Sequence, residues 1–364
     1  LKLPKHGPEP IRPWSGTPVN TGSRRAPPLR AGRRAPEDQN GEHVMGAECC
    51  SGSKGATDMT AVDTVESSDS DIDEATKMGG RGGCSLRKNV ANENYELRRQ
   101  WEVPRTVGVS SKEARSAWLR AGAAAKVTFS EHSTGDALLL FARKRGHKVC
   151  GLSFACGSDR HVGGGYKHGA RAQEEDLCRR IPNLYPSLLA AKERGEYPLG
   201  PRTLRSLSEP GKYSHVLFTP GLALARLGED KDYALFPPKD QVTVSVVSAV
   251  APNVNKREVS DSRHMYDTVY NIFAAPKMKE PDITTLVLGA WGCGAFRGDT
   301  TQISELFARA LKDRKLGRLY EQVHFAIPRF HDGDTVADAF RSTLRKQGVS
   351  FQEVRHRPET PPAA

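Results

Sequence analysis

One segment restricts the fold more than any other. Gln241 to Val250 (QVTVSVVSAV) is β-branched and apolar on nearly both faces, the pattern of a strand buried from two sides. A sheet built around such a strand needs cover above and below, and the flanking sequence supplies it. Strand-like runs at Lys126–Phe129, Lys148–Ala155, Val216–Thr219, Thr284–Leu288 and Gln322–Ile327 are interspersed with helix-like runs. The helices are expected at Thr134–Arg145, with Ser133 or Thr134 as N-cap, and at Arg263–Ala274, Ile303–Leu311 and Val336–Gln347. This alternation predicts an α/β fold with one sheet covered on both faces. Two short helices, Tyr95–Trp101 and Ser111–Leu119, are expected ahead of it, and the chain shows no internal repeat.

Upstream the pattern disappears. Residues 1–92 repeat no apolar residue at helical or strand spacing, so neither a helix nor a strand there can bury a face. They predict a disordered tail: Leu1–Pro36 is basic and rich in Pro and Gly, and the sign reverses from Glu37 to Glu74. Order is expected from near Asn92, giving a domain over 93–354 and a loose end over 355–364. Hydrophobic residues make up only 37% of the 364 positions, which fits a chain that is not packed throughout.

The formal net charge of +11, from 54 Lys+Arg against 43 Asp+Glu, favours polyanionic partners. A soluble protein with a basic tail has the same balance. The tail lacks the interleaved aromatics that stack on bases, so any nucleic-acid contact through it is expected to be weak. Seven cysteines, at 49, 50, 84, 150, 156, 178 and 293, form no CxxC. That usage predicts reduced thiols in an intracellular protein, cytoplasmic or nuclear, with no structural zinc. No apolar run approaches bilayer length and the N-terminus lacks the apolar centre of a signal peptide, so no membrane partner is expected.

Chemistry concentrates at Gly163-Gly164-Gly165, followed by Gln173-Glu174-Glu175. Three glycines remove every Cβ, so a ligand can approach the backbone and positive φ is available. The run follows an expected strand and precedes an expected helix, at the carboxyl end of the sheet where α/β folds bind ligands. Free N–H groups there suit a diphosphate. Glu174 and Glu175 start the helix, where its dipole favours ionisation unless burial opposes it. Adjacent helical residues point about 100° apart, so the two cannot share one task. That disfavours the usual glycosidase pair with carboxyls roughly 5–9 Å apart across the bond. One Glu acting as acid and base while the other grips a ribose hydroxyl fits better; a capping pair is the alternative. The helix is expected to be short, with Pro182 and Pro186 stopping it.

A second small-residue turn, Gly292-Cys293-Gly294-Ala295-Phe296, follows the Thr284–Leu288 strand. Phe296 can stack on a base or pack a ribose. Two such turns after two strands can hold the two phosphates of an ADP-ribosyl group. His161 and His168 flank the first turn as weaker phosphate candidates, and His331-Asp332-Gly333-Asp334 reads as a loop leading into a helix rather than a metal turn.

The spacing GGG, seven residues, then QEE resembles the signature of poly(ADP-ribose) glycohydrolases. The order Ser153-Phe154-Ala155, the signature, Lys212–Pro220, Val250–Asn253, LGAWGCGAF and His324–Ile327 is similar to their microbial-type branch. The resemblance covers roughly residues 120–330. It implies a macro-domain-like three-layer α/β/α sandwich with a mixed central sheet, and hydrolysis of ribose–ribose O-glycosidic bonds in poly(ADP-ribose) to release ADP-ribose. It also implies Glu175 as catalytic acid and base, and Glu174 as a second catalytic-site group on the ribose hydroxyls. Phe154, Ala155, Cys156, Gly163, Gly164, Gly165, Gln173, Gly292, Cys293, Gly294, Ala295 and Phe296 would contact substrate. No cofactor or metal is expected, and the partner would be poly(ADP-ribose) or ADP-ribosylated protein bound by a monomer. A reader that holds ADP-ribose without turnover and a mono-ADP-ribosyl hydrolase are the alternatives. The chain departs from the branch at Ser153, usually Asn, and at Val162, usually Pro. The segment between Phe154 and Gly163 is also about two residues longer than usual.

Overall fold

A computed structural model describes residues 81–201 and 212–355. The tail expected over 1–92 lies outside the described residues as far as residue 80, as does the C-terminal end beyond Arg355. The expected alternation is present, with eight strands among the described residues: β1 (Val107–Val109), β2 (Lys126–Ser130), β3 (Val149–Phe154), β4 (Val216–Leu224), β5 (Val242–Ala249), β6 (Thr285–Leu288), β7 (Gln322–Ala326) and β8 (Gln352–Glu353). They form one sheet in the order β1-β4-β5-β3-β6-β7-β2-β8. β4 is antiparallel to both β1 and β5, and every other pairing is parallel. The sheet is therefore mixed.

Side-chain alternation along these strands builds two cores, one on each face. On β5, Val244 and Val246 join one cluster, while Val247 and Ala249 join the other. On β6, Val287 faces the first and Leu286 and Leu288 the second. Helices α3 (Thr134–Ala142), α4 (Gln173–Arg180) and α5 (Leu184–Glu193) cover one face through Leu138, Phe141, Leu177, Ile181 and Leu188. Helices α6 (Ser262–Lys279), α7 (Thr300–Lys312) and α8 (Val336–Lys346) cover the other through Val269, Phe273, Phe307 and Phe340. The result is the three-layer α/β/α sandwich. Ser133 is the N-cap of α3, its side chain accepting from the Asp136 N–H.

Order begins earlier than expected. Helix α1 runs from Arg81 to Glu96, across the boundary at Asn92, and only a 3-10 turn at Arg98–Gln100 remains of the helix expected over Tyr95–Trp101. Its buried positions Arg87, Val90, Ala91 and Asn94 do have helical spacing. Two of the four are polar, so the stripe carries no apolar period. Arg87 Nε donates to the Gly169 carbonyl at 2.6 Å, and Asn94 Nδ2 donates to the Arg179 carbonyl at 2.9 Å. Tertiary partners thus replace apolar area as the reason this helix is seated. The helix expected over Ser111–Leu119 is shorter, as α2 (Ser111–Ser116).

Other boundaries move for local reasons. Pro182 ends α4 near Arg180, but Pro186 does not stop a helix: it sits in the first turn of α5, where an N–H has no intrahelical acceptor to lose. β4 continues to Leu224 past a register shift between Thr219 and Leu222. No described helix is long and apolar enough to cross a membrane.

Candidate active site

The parallel strands β3 and β6 end next to one another, and both small-residue turns leave from there. The two turns are in contact through their strand exits. A Cβ at Gly289 would lie 2.8 Å from the Phe154 ring, and one at Gly292, where φ is +78°, would lie 2.6 Å from the Ala251 Cβ. Val254 N–H donates to the Phe296 carbonyl at 2.9 Å, and Asn255 Nδ2 donates to the Ala295 carbonyl at 2.8 Å. The segment after β5 therefore holds the second turn. Gly294 and Ala295 are exposed at its tip, and Phe296 and Cys293 are half-buried beside them. Burial pushes the Cys293 thiol up to about 12, against a hydrogen bond from Thr300 that lowers it.

In the first turn Gly163 and Gly164 have φ of +70° and +61°, values that favour glycine. A Cβ on Gly163 would sit 2.7 Å from the Tyr185 ring, and one on Gly164 would sit 2.2 Å from Glu175 Oε1. The glycines thus let the backbone close onto a carboxylate as well as onto a ligand. Gly165 is buried, with φ of −88°.

The start of α4 ties these segments together. Gln173 Oε1 accepts from the Phe154 N–H at 2.9 Å while its Nε2 donates to the Leu152 carbonyl at 2.8 Å and to Thr134 Oγ1 at 3.0 Å. Glu174 Oε2 accepts from the Cys156 N–H at 2.8 Å, and Glu175 Oε1 accepts from the Gly165 N–H at 2.8 Å. The capping alternative accounts for none of these bonds, since each reaches a segment outside the helix. Gln173 fixes the end of β3, Glu174 the residues after it, and Glu175 the glycine turn.

Burial opposes the helix dipole here and prevails. Glu174 is 1% exposed and Glu175 6%. Desolvation raises the Glu174 carboxyl well above its ordinary range, with the Glu175 charge adding to the rise and the Cys156 amide opposing it. Desolvation also raises Glu175, against its amide hydrogen bonds and the Arg179 charge. Among the described residues Glu174 Oε1 is buried with no hydrogen-bond partner, as are the Ser153 and Ser248 hydroxyls, paired in register on β3 and β5, and Asn253 Oδ1. Such atoms are costly unless something polar arrives to satisfy them.

Tyr197 belongs to the same site without any motif to mark it. Its hydroxyl is buried without a hydrogen-bond partner among the described residues, and its pKa is pushed well up by burial, then by the charges of Glu174 and Cys156. It follows α5 in a stretch with no motif, so only tertiary placement brings it to the carboxylates. His161 and His168 border the glycine turn rather than the carboxylates. The His331–Asp334 stretch does lead into α8, with Asp334 accepting from the Val336 N–H at 3.0 Å. Cys84, Cys150, Cys156, Cys178 and Cys293 are free thiols. Among the described residues no group of three or more His, Cys, Asp or Glu side chains could hold a metal ion.

Comparison with known proteins gives similarities in sequence and in fold. Residues 85–226, from within α1 to just past β4, match the family model described as microbial-type PARG, catalytic domain. No curated protein sequence matches the chain. Among solved structures, poly(ADP-ribose) glycohydrolase from Deinococcus radiodurans in complex with ADP-ribose is 26% identical, with a TM-score of 0.55 over 70% of this chain and 97% of that one. The enzyme from Thermomonospora curvata is 24% identical, with a TM-score of 0.56 over 71% of this chain and 98% of that one, and there the likeness is one of fold. A further structure of that enzyme holds the inhibitor ADP-HPD, at 23% identity and a TM-score of 0.54. In sequence over residues 85–226, and in fold over the whole sandwich, this chain is similar to the microbial-type poly(ADP-ribose) glycohydrolases.

Proposed function

We propose that this chain is a glycoside hydrolase that cleaves ribose–ribose O-glycosidic bonds in poly(ADP-ribose) and releases ADP-ribose. The observation that carries the reading is the Glu175 carboxyl. It is buried, raised in pKa and fixed by the Gly165 amide where two glycine-rich turns meet the ends of parallel strands. A carboxyl whose pKa is raised by burial holds its proton to higher pH than one in water, as a general acid must.

In this mechanism Glu175 gives its proton to the glycosidic oxygen as the C1–O bond breaks and the electron pair leaves with that oxygen. The ribose carbon becomes oxocarbenium-like, stabilised by the diphosphate held across the two turns. Glu175, now a carboxylate, takes a proton from water as the water oxygen bonds to C1. ADP-ribose leaves, and the remaining chain carries a free hydroxyl. Glu174 has a different task. Its unpartnered Oε1 suits a ribose hydroxyl, which would satisfy it and orient the sugar. The tip at Gly294 and Ala295 offers backbone to phosphate, and Phe296 offers an apolar face to ribose or adenine. A reader of ADP-ribose would need the turns but not two buried carboxyls.

The test is incubation with labelled, automodified poly(ADP-ribose) and separation of the products. Free ADP-ribose is expected from the wild type, and a rate lower by about 10²–10⁴ from Glu175→Gln, the usual worth of a general acid. Tight ADP-ribose binding with the polymer left intact would identify a reader instead. Undiminished turnover by Glu175→Gln would show that another group is the acid.

A further inference from the structure

Next to the glycine turn, but outside the space between the two turns, lies a cavity of about 230 Å³. Arg160, His161, Gly164 and Lys167 form one side, and Tyr185 and Lys192 of α5 form the other. Neither Phe154, Cys156 nor any residue of the second turn lines it. The wall it shares with the carboxylates is Gly164, whose absent Cβ would stand 2.2 Å from Glu175 Oε1. One glycine therefore separates the cavity from the proposed acid.

The lining is cationic. Arg160, Lys167 and Lys192 are exposed, and none of them is in an ion pair among the described residues. Lys167 lies over the Tyr185 ring at 5.4 Å, and among the described residues Asp159 is the lining's one carboxylate. Three cations around one small space repel each other, and an anion placed among them removes that cost. The volume is below the roughly 300–1,000 Å³ of pockets that enclose a whole small-molecule ligand, so it suits a phosphate or diphosphate rather than a nucleotide. Arg160 and His161 belong to the stretch between Phe154 and Gly163, the part of the chain that is longer than the family spacing.

Resting on the glycohydrolase reading, we infer that this cavity holds the diphosphate of the ADP-ribose unit on the leaving side of the scissile bond. A polymer whose bond sits at Glu175 has two arms. One ends in the unit held between the turns; the other leaves past Gly164 carrying its own diphosphate. The cavity lies where that second arm passes, and its charge is the complement of what the arm carries.

The full chain tests this with Arg160→Ala/Lys192→Ala, which truncates two exposed side chains. Two substrates are compared: ADP-ribose oligomers of two or more units, and an aryl ADP-ribose glycoside whose leaving group has no phosphate. The variant is expected to lose at least about tenfold in kcat/KM on the oligomer, as expected for losing charge-assisted phosphate contacts, and nothing on the aryl glycoside. Equal losses on both substrates, or none on the oligomer, would overturn the subsite. Binding in the Glu175→Gln background gives a reading without turnover: the oligomer should bind more tightly than ADP-ribose, and the double substitution should erase that margin. If the wild type cleaves neither substrate, the glycohydrolase reading fails, and the binding margin still decides the subsite. Oligomer cleavage with no binding margin overturns the subsite alone.

Discussion

Gly164→Ala isolates the contact on which the proposed chemistry depends. The new methyl would stand 2.2 Å from Glu175 Oε1, and the backbone φ there is +61°. Two costs follow. An L-residue in the left-handed region costs about 1–2 kcal/mol, and relieving an overpacked contact costs about 1–3 kcal/mol more. Gly146→Ala separates the two, because Gly146 has φ of +80° and nothing within 4 Å of its missing Cβ. It should carry only the backbone cost, lowering Tm by about 2–8 °C at the usual conversion for a domain of this size. Gly164→Ala should lose more stability than that. It should also lose activity, because the Glu175 carboxyl can reach ordinary contact distance only by moving about 1 Å and straining its 2.8 Å bond from the Gly165 N–H. A displacement of that size in a catalytic group is worth on the order of 10²-fold in rate. The assay is kcat/KM for release of ADP-ribose from polymer, measured beside thermal unfolding for both variants. If Gly164→Ala stays folded and retains wild-type kcat/KM, the position of Glu175 against the turn does not matter to the reaction, and the acid assignment is refuted.

Glu174→Gln tests the burial of the neighbouring carboxyl through pH. Its folded pKa is raised above the ordinary 4.5, so its protonated form favours folding; that stability is full below about pH 4.5 and is lost as pH rises through the folded value. The variant, which cannot ionise, should therefore unfold at a higher temperature than wild type near pH 7.5 and show no such gain near pH 4; a gain that does not depend on pH would contradict the sign. For the reaction, kcat on polymer should fall on the alkaline side as Glu175 loses its proton, and Glu175→Gln should abolish that limb of the profile. Arg87→Ala removes a buried guanidinium bonded to the Gly169 carbonyl and to Glu229, and should cost about 2–4 kcal/mol. Hydrogen exchange should then rise in residues 81–96 and 166–170 together; a rise in α1 alone would show that the helix does not brace the loop.

The layers were legible because they are written in apolar residues. The buried strands are short and mostly apolar, with β5 the clearest β-branched run, and α6, α7 and α8 each carry a recurring apolar face toward the sheet. What escaped the sequence is held by polar contacts or by very short pairings. α1 is seated by Arg87 and Asn94, whose partners Gly169 and Arg179 lie more than eighty positions away. β8 is only Gln352–Glu353, added at the β2 edge with both residues exposed, so no hydrophobic signal marks it. At the site, the turns and the glutamates were readable from spacing, but their partners were not. That Gln173 reaches Phe154, or that Tyr197 stands near Glu174, follows from the fold of a connection whose length alone predicts neither.

The same contacts explain how Glu175 can be fixed in place while its pKa is still raised by burial. A buried carboxylate anchored by an arginine would be well positioned, but the cation would pull its pKa down. Here the anchors are backbone amides, which fix direction while supplying only part of the charge compensation that burial removes. The guanidinium whose charge reaches Glu175 directs two of its nitrogens to other acceptors: Arg179 Nη2 donates to the Ala170 carbonyl at 2.7 Å, and Nε to the Arg87 carbonyl at 3.3 Å. Its charge lowers the Glu175 pKa without reversing the rise from burial. The three side chains of residues 173–175 diverge from the start of one helix to three separate amides, of Phe154, Cys156 and Gly165. A short helix ended by Pro182 thus orders both the exit of β3 and the glycine turn. Precision of placement and retention of the proton usually compete at a carboxyl, and amide anchoring in a buried site allows both.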